Sequence, residues 1–182
     1  MEKLVARNVL GYNIEYMYNN ENRPGTCPIC HNTIEKVPDS LYRVSKKKGD
    51  LFYTYDNFCI VSENFKRFCD ERGYPHLTFV ALTKSIGYYF FMPEDIYRLD
   101  SIRSRMQFID KRDCCGSYDE IIGSTLYKAS DFSMLTDDFI CRSEYYFASY
   151  GCKSPLIIVG LDTATAMKDY GLKGIYFDKV LL

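Results

Sequence analysis

The sequence predicts an α+β protein of one domain, and three observations predict it. Two segments of the chain follow the same strand-helix-strand order, each helix ends at a glycine followed by an apolar strand, and no segment looks like a low-complexity linker. At 182 residues and 21.2 kDa the chain can bury roughly two thirds of its unfolded surface, so stability does not require disulfides. Aromatic residues carry much of the apolar content, with 17 Tyr and 12 Phe but no Trp.

In the first unit, Phe58-Cys59-Ile60-Val61 reads as a short strand. Ser62 is a good N-cap, and Glu63 suits the positive end of a helix dipole. Phe65, Phe68 and Cys69 share one helical face, while Lys66, Arg67, Asp70 and Glu71 point away. Gly73 supplies the left-handed residue that ends the helix, and Leu77-Thr78-Phe79-Val80 resumes as a strand. Gly87 to Phe91 predicts another strand, with a break at Met92-Pro93. From Glu94 to Asp113 the spacing of Ile96, Leu99 and Ile102 is helical and that of Met106 to Ile109 is not, so the segment is compatible with either state.

The second unit begins at Leu156-Ile157-Ile158-Val159. A helix is predicted from Asp162 or Thr163 to Tyr170 with Ala164, Met167 and Tyr170 buried, then a stop at Gly171 and a strand at Gly174-Ile175-Tyr176-Phe177. Laid over the first unit at one constant offset, Val61 falls on Val159, Gly73 on Gly171, Leu77 on Ile175 and Phe79 on Phe177. This predicts an internal duplication. The expected organisation is a single domain, 1–182, of two related halves, 1–93 and 94–182.

Lys+Arg (23) balances Asp+Glu (24), which argues against a field that draws the chain onto nucleic acid or anionic membranes. The run Lys46-Lys47-Lys48 reads as a solvated turn, and Asn19 to Gly25 as an exposed polar loop. The N-terminus has no apolar h-region, and no stretch approaches a membrane span. Eight cysteines without an export signal predict reduced thiols and a cytoplasmic protein.

The sharpest motif is Cys27-Pro28-Ile29-Cys30, followed by His31-Asn32. A tight turn at this spacing aims two sulfurs at one tetrahedral zinc ion while backbone N–H groups donate to them. Such a knuckle is half a site. Cys114-Cys115-Gly116, after Lys111-Arg112-Asp113, is the best second half. Either both of these cysteines complete the set, or one does together with His31, Cys141 or Cys152. Cys59 and Cys69 read as core. A redox reading of Cys27 and Cys30 lacks a preceding βαβ context.

The two histidines, His31 and His76, both suit structural roles, and Asp119-Glu120 and Asp137-Asp138 read as loop or cap residues. No Walker A, G-x-G-x-x-G, H-E-x-x-H or G-x-S-x-G motif is present, so no enzyme is predicted.

The order of C-P-x-C, strand-helix-strand, cysteine-glycine motif and terminal strand-helix-strand resembles the double-CXXCG motif proteins, some of which are bacterial immunity proteins that neutralise toxins. The tail carries most of the likeness: Thr136-Asp137-Asp138-Phe139-Ile140-Cys141-Arg142, then Leu156 to Val159, then Tyr170-Gly171-Leu172-Lys173-Gly174-Ile175-Tyr176-Phe177. His31 stands where the family's first motif has glycine. In the second motif Arg112 takes the first cysteine's place and Cys115-Gly116 the second's. The resemblance implies Cys27, Cys30 and Cys115 as metal ligands, with Cys114 substituting for the missing one. It implies a non-enzymatic protein whose partner is a cognate toxin. The alternatives are a zinc-ribbon adapter on nucleic acid and a thiol-disulfide enzyme. Independently of the resemblance, the tyrosine-rich segments with Tyr12, Tyr16 and Tyr18 or Tyr145, Tyr146 and Tyr150 read either as interface anchors, since tyrosine offers rigid contact area with a polar tip, or as residues buried in strands.

Overall fold

A computed structural model describes residues 2–19, 23–45, 49–134 and 136–182. Lys46-Lys47-Lys48, read as a turn, and part of the Asn19 to Gly25 loop lie outside these residues. The described residues form twelve strands and two α-helices. In chain order these are β1 (Leu4–Ile14), β2 (Leu51–Thr54), β3 (Cys59–Ser62), α1 (Glu63–Arg72), β4 (Leu77–Ala81), β5 (Tyr88–Pro93), β6 (Ile96–Tyr97) and β7 (Gln107–Lys111). They continue with β8 (Tyr118–Ile122), β9 (Leu126–Tyr127), β10 (Ile140–Ser149), β11 (Ser154–Val159), α2 (Leu161–Asp169) and β12 (Ile175–Leu181).

The strands join into one mixed sheet in the order β4-β5-β3-β2-β1-β11-β10-β8-β7, with β12 also on β1. Both predicted strand-helix-strand units are present, and each is split. Strands β3 and β4 are both antiparallel to β5, which lies between them; β11 and β12 are likewise both antiparallel to β1. The separating strand follows the first unit in sequence but precedes the second by most of the chain. At its far end β1 turns to parallel pairing with β2, Tyr12 opposite Phe52, and so welds the two units into one sheet.

The helices cover one face. Phe65, Phe68 and Cys69 of α1 and Ala164 and Met167 of α2 pack with Val9, Leu51, Val61, Phe91, Ile157 and Val159 in a single core. Phe68 meets Tyr170 edge-on at 5.2 Å, a direct contact between the two units. The opposite face carries two further clusters, one around Phe52, Phe58, Ile60 and Phe90, the other around Ala6, Tyr97, Cys141, Ile158 and Val180. Central strands are therefore buried on both sides, which is why Leu156 to Val159 reads as an unbroken apolar run rather than an alternation. The accessible surface, 9712 Å², is close to the roughly 9,100 Å² of a tightly folded chain of this mass.

Helix α1 begins and ends where its sequence dictates. Ser62 Oγ accepts from Phe65 N at 3.2 Å and donates to Asp50 Oδ1 at 2.6 Å, and Gly73 closes the helix at φ 68°. Ser62→Ala is expected to lower the unfolding free energy by about 1 kcal/mol, read as a shifted urea midpoint at constant slope. Elsewhere the structure corrects the sequence reading. The expected break at Met92-Pro93 is instead the end of β5, where Met92 pairs with Thr78 and Pro93 with Leu77. Residues Glu94 to Asp113, compatible with helix or strand, form β6, a turn and β7. Helix α2 starts at Leu161, and Tyr170 caps it rather than extending it.

Candidate metal centre

Two tight turns of almost superimposable hydrogen bonding build the site. In the first, His31 N donates to Cys27 O at 2.9 Å and Cys27 N to Asn32 O at 2.8 Å. In the second, Gly116 N donates to Arg112 O at 2.7 Å and Arg112 N to Ser117 O at 2.8 Å. Arg112 thus occupies the backbone place of Cys27, Cys115 that of Cys30, and Gly116 that of His31. The positive φ this last place requires is met by glycine in one turn, φ 70°, and by His31 at φ 58° in the other. His31 is exposed and outside the cysteine cluster. Its position next to Cys30 reflects the turn, not ligation.

Cys114 stands one residue before Cys115, in the place held by Ile29 in the first turn. From there its sulfur reaches Cys27 Sγ at 3.8 Å, and Cys30 Sγ lies 3.5 Å from Cys115 Sγ. All four sulfurs fall within 4.8 Å of one another. Sulfurs each ~2.3 Å from a tetrahedral ion lie ~3.8 Å apart, whereas a disulfide needs ~2.05 Å, and all four cysteines are free thiols. The residues therefore fit a metal ion held by four thiolates. Of the alternatives for the second half-site, Cys141 is buried among Tyr97, Ile158 and Val180, and Cys152 accepts from Arg23 Nη1 at 3.4 Å. Cys59 and Cys69 are in the core, where burial pushes both thiols far above their ordinary range.

The surroundings favour negative sulfur at some positions and oppose it at others. Burial pushes Cys30 up, but the backbone N–H of Asn32 and the thiols of Cys115, Cys114 and Cys27 bring it down to about 6. Desolvation and the sulfurs of Cys30 and Cys27 push Cys114 up to about 12, and Cys115 is raised as well. A divalent ion in four thiolates leaves a net negative charge. Lys153, fully buried, stands beside it, donating to Ser117 Oγ at 2.6 Å and to Tyr118 O. Burial lowers its pKa against the pull of Cys115, Asp119 and Cys30.

Asp119, read from sequence as a loop or cap residue, is instead a buried strand residue that ties the two turns together. Its carboxylate accepts Arg112 Nε and Asn32 Nδ2, each at 2.8 Å, and pairs with Arg112 Nη2. The Arg112 guanidinium holds that carboxyl below the usual carboxylate range. Asn32 Nδ2 also donates to Cys30 Sγ at 3.4 Å. Arg112, Asp119, Asn32 and Lys153 were not singled out as site residues from the sequence. Their partners are up to 87 residues distant, and an isolated basic or acidic residue carries no pattern. Both turns also lean on the Tyr150–Lys153 segment, since Thr33 N donates to Tyr150 O at 3.2 Å. Asn32→Ala is expected to weaken metal binding about 10- to 100-fold, measured by competition with a chromogenic chelator, with the fold retained.

No family model matches the chain, and the search of curated proteins found no relative. No helix among the described residues is long and apolar enough to cross a membrane. The fold and the cysteine cluster define the class: a mixed α+β protein with a candidate four-cysteine metal centre.

Proposed function

We propose that the chain is a non-enzymatic, immunity-type protein that binds and neutralises a cognate toxin in the cytoplasm of the cell that makes it, with one structural zinc ion held by Cys27, Cys30, Cys114 and Cys115. The observation that carries the reading is the convergence of four sulfurs from two turns 85 to 87 residues apart in the chain. Four thiolates leave a tetrahedral ion no open position for substrate or water, so such a centre stabilises rather than reacts. Zinc is the ion of choice for an all-thiolate tetrahedral set. A thiol-disulfide role for Cys27 and Cys30 is disfavoured by the two further sulfurs beside them.

Partner binding is supported by tyrosines left at the surface: Tyr12, Tyr16 and Tyr150 are 46, 47 and 52 % exposed. Tyr18, by contrast, is committed to Val37 O at 2.9 Å. The near-zero net charge opposes a nucleic-acid adapter. We also read the two split units as copies of one ancestral element, supported by their aligned glycines and common strand pairing.

The test is protection. Cells producing the cognate toxin should grow when the chain is co-expressed, and the two proteins should elute as a stoichiometric complex. Growth arrest despite abundant folded protein would remove the immunity reading.

A further inference from the structure

On the face of the sheet away from the helices lies a second cavity, whose lining includes none of the four candidate metal ligands. Asn8 of β1 is only 7 % exposed, yet its Oδ1 has no hydrogen-bond partner. Buried acceptors are almost always paired, so an orphan calls for a ligand or a water. Asn8 lines an open-mouthed cavity of about 370 Å³, bounded by apolar Ile121, Leu126, Phe147 and Leu156. Two carboxylates share it. Asp178 is the direct cross-strand partner of Asn8, on the same face as Ala6 and Val180, which puts the two Cβ atoms about 4.5–5.5 Å apart. Glu120 enters from β8, steadied by Ser149 Oγ at 2.7 Å. Among the described residues that line the cavity none is basic.

We infer that this cavity binds a primary ammonium group on an aliphatic stem. Asn8 Oδ1 accepts one N–H, the carboxylates of Asp178 and Glu120 offset the positive charge, and the apolar walls cover the stem. A carboxylate or phosphate would meet only like charge there, and a neutral alcohol would use the amide but not the acids.

The test titrates ¹⁵N-labelled full-length protein with n-butylammonium, putrescine and Nα-acetyl-lysine methylamide, with n-butanol as the neutral isostere. The Asn8 side-chain amide is expected to shift saturably with the amines and not with butanol. Asp178→Asn, at an exposed site, should weaken binding about tenfold without changing the melting temperature, and Glu120→Gln should act in the same direction. Tighter binding of putrescine would assign a free diamine as the ligand; tighter binding of the lysine derivative would assign a protein lysine. Equal shifts with butanol, or no saturation at tens of millimolar amine, would overturn the inference and leave Asn8 satisfied by solvent.

Discussion

Protein purified without chelator is expected to carry about one zinc per chain, and Cys27→Ser or Cys115→Ser to lose it. The two substitutions sit in different turns, so equal loss from both reports that the turns share one ion. Under constant free metal, each hundredfold loss of affinity removes about 2.7 kcal/mol from the folded state, so the melting temperature should drop with the metal. Cys152→Ser separates this from the competing ligand sets, because it should keep its zinc. Ligand protons compete with metal, so affinity should fall as pH falls. Cys114 and Cys115, whose pKa values are raised, resist that loss of protons and so steepen the dependence. Metal-free protein with wild-type stability in both variants would sink the centre and leave the second turn as a hairpin tip.

The first cysteine turn was legible because its residues are contiguous: C-P-x-C prescribes a turn locally. In the second turn the resemblance supplied the register, with Arg112 at the first cysteine's place, while the residues by themselves offered only two adjacent sulfurs. Arg112 at the place of the first cysteine keeps the backbone hydrogen bonds, which do not depend on side chain, while Cys114 supplies the missing sulfur from the turn's tip. Sequence spacing penalises adjacent cysteines as a bidentate pair. Cys114 and Cys115 escape that penalty by each facing a different partner, Cys27 and Cys30. The α1 unit was equally readable, from Ser62 to Gly73, since caps and faces are local signals. Strand β1 was not. Arg7, Asn8, Gly11 and Asn13 interrupt its alternation because the strand changes neighbours along its length, from β11 and β12 to β2. Gly11 is required at that changeover, where an added Cβ would lie 2.9 Å from Leu51 O. Non-local pairing of this kind leaves no periodic trace.

Gly160→Ala is expected to destabilise by more than about 4 kcal/mol, beyond the ordinary range for one substitution. Gly160 has φ −65° and ψ 164°, a conformation any residue adopts, so chain entropy alone predicts a gain of about 0.4–1 kcal/mol. Space decides otherwise. An added Cβ would lie 1.8 Å from Asp137 O and 2.4 Å from Asp137 C, both backbone atoms without a rotamer to yield. That close approach is how α2 is capped. Gly160 offers no side chain, and the Asp137-Asp138-Phe139 turn takes over: Asp137 O accepts Asp162 N at 3.0 Å, and Phe139 N donates to Thr163 Oγ1 at 2.8 Å. The Asp138 carboxylate accepts Thr163 Oγ1 at 2.9 Å, Tyr74 Oη at 2.6 Å and Arg72 Nη2 at 2.6 Å, binding the turn to the end of α1. A methyl group must drive the turn away and break these bonds together, separating the two units at their seam. Gly73→Ala is the control: φ is 68° but nothing lies within 4 Å of the added Cβ, so only backbone strain of about 1–2 kcal/mol applies. Denaturant midpoints ordered wild type, Gly73→Ala, Gly160→Ala would support this capping, whereas a wild-type midpoint for Gly160→Ala would show that the turn can retreat without loss.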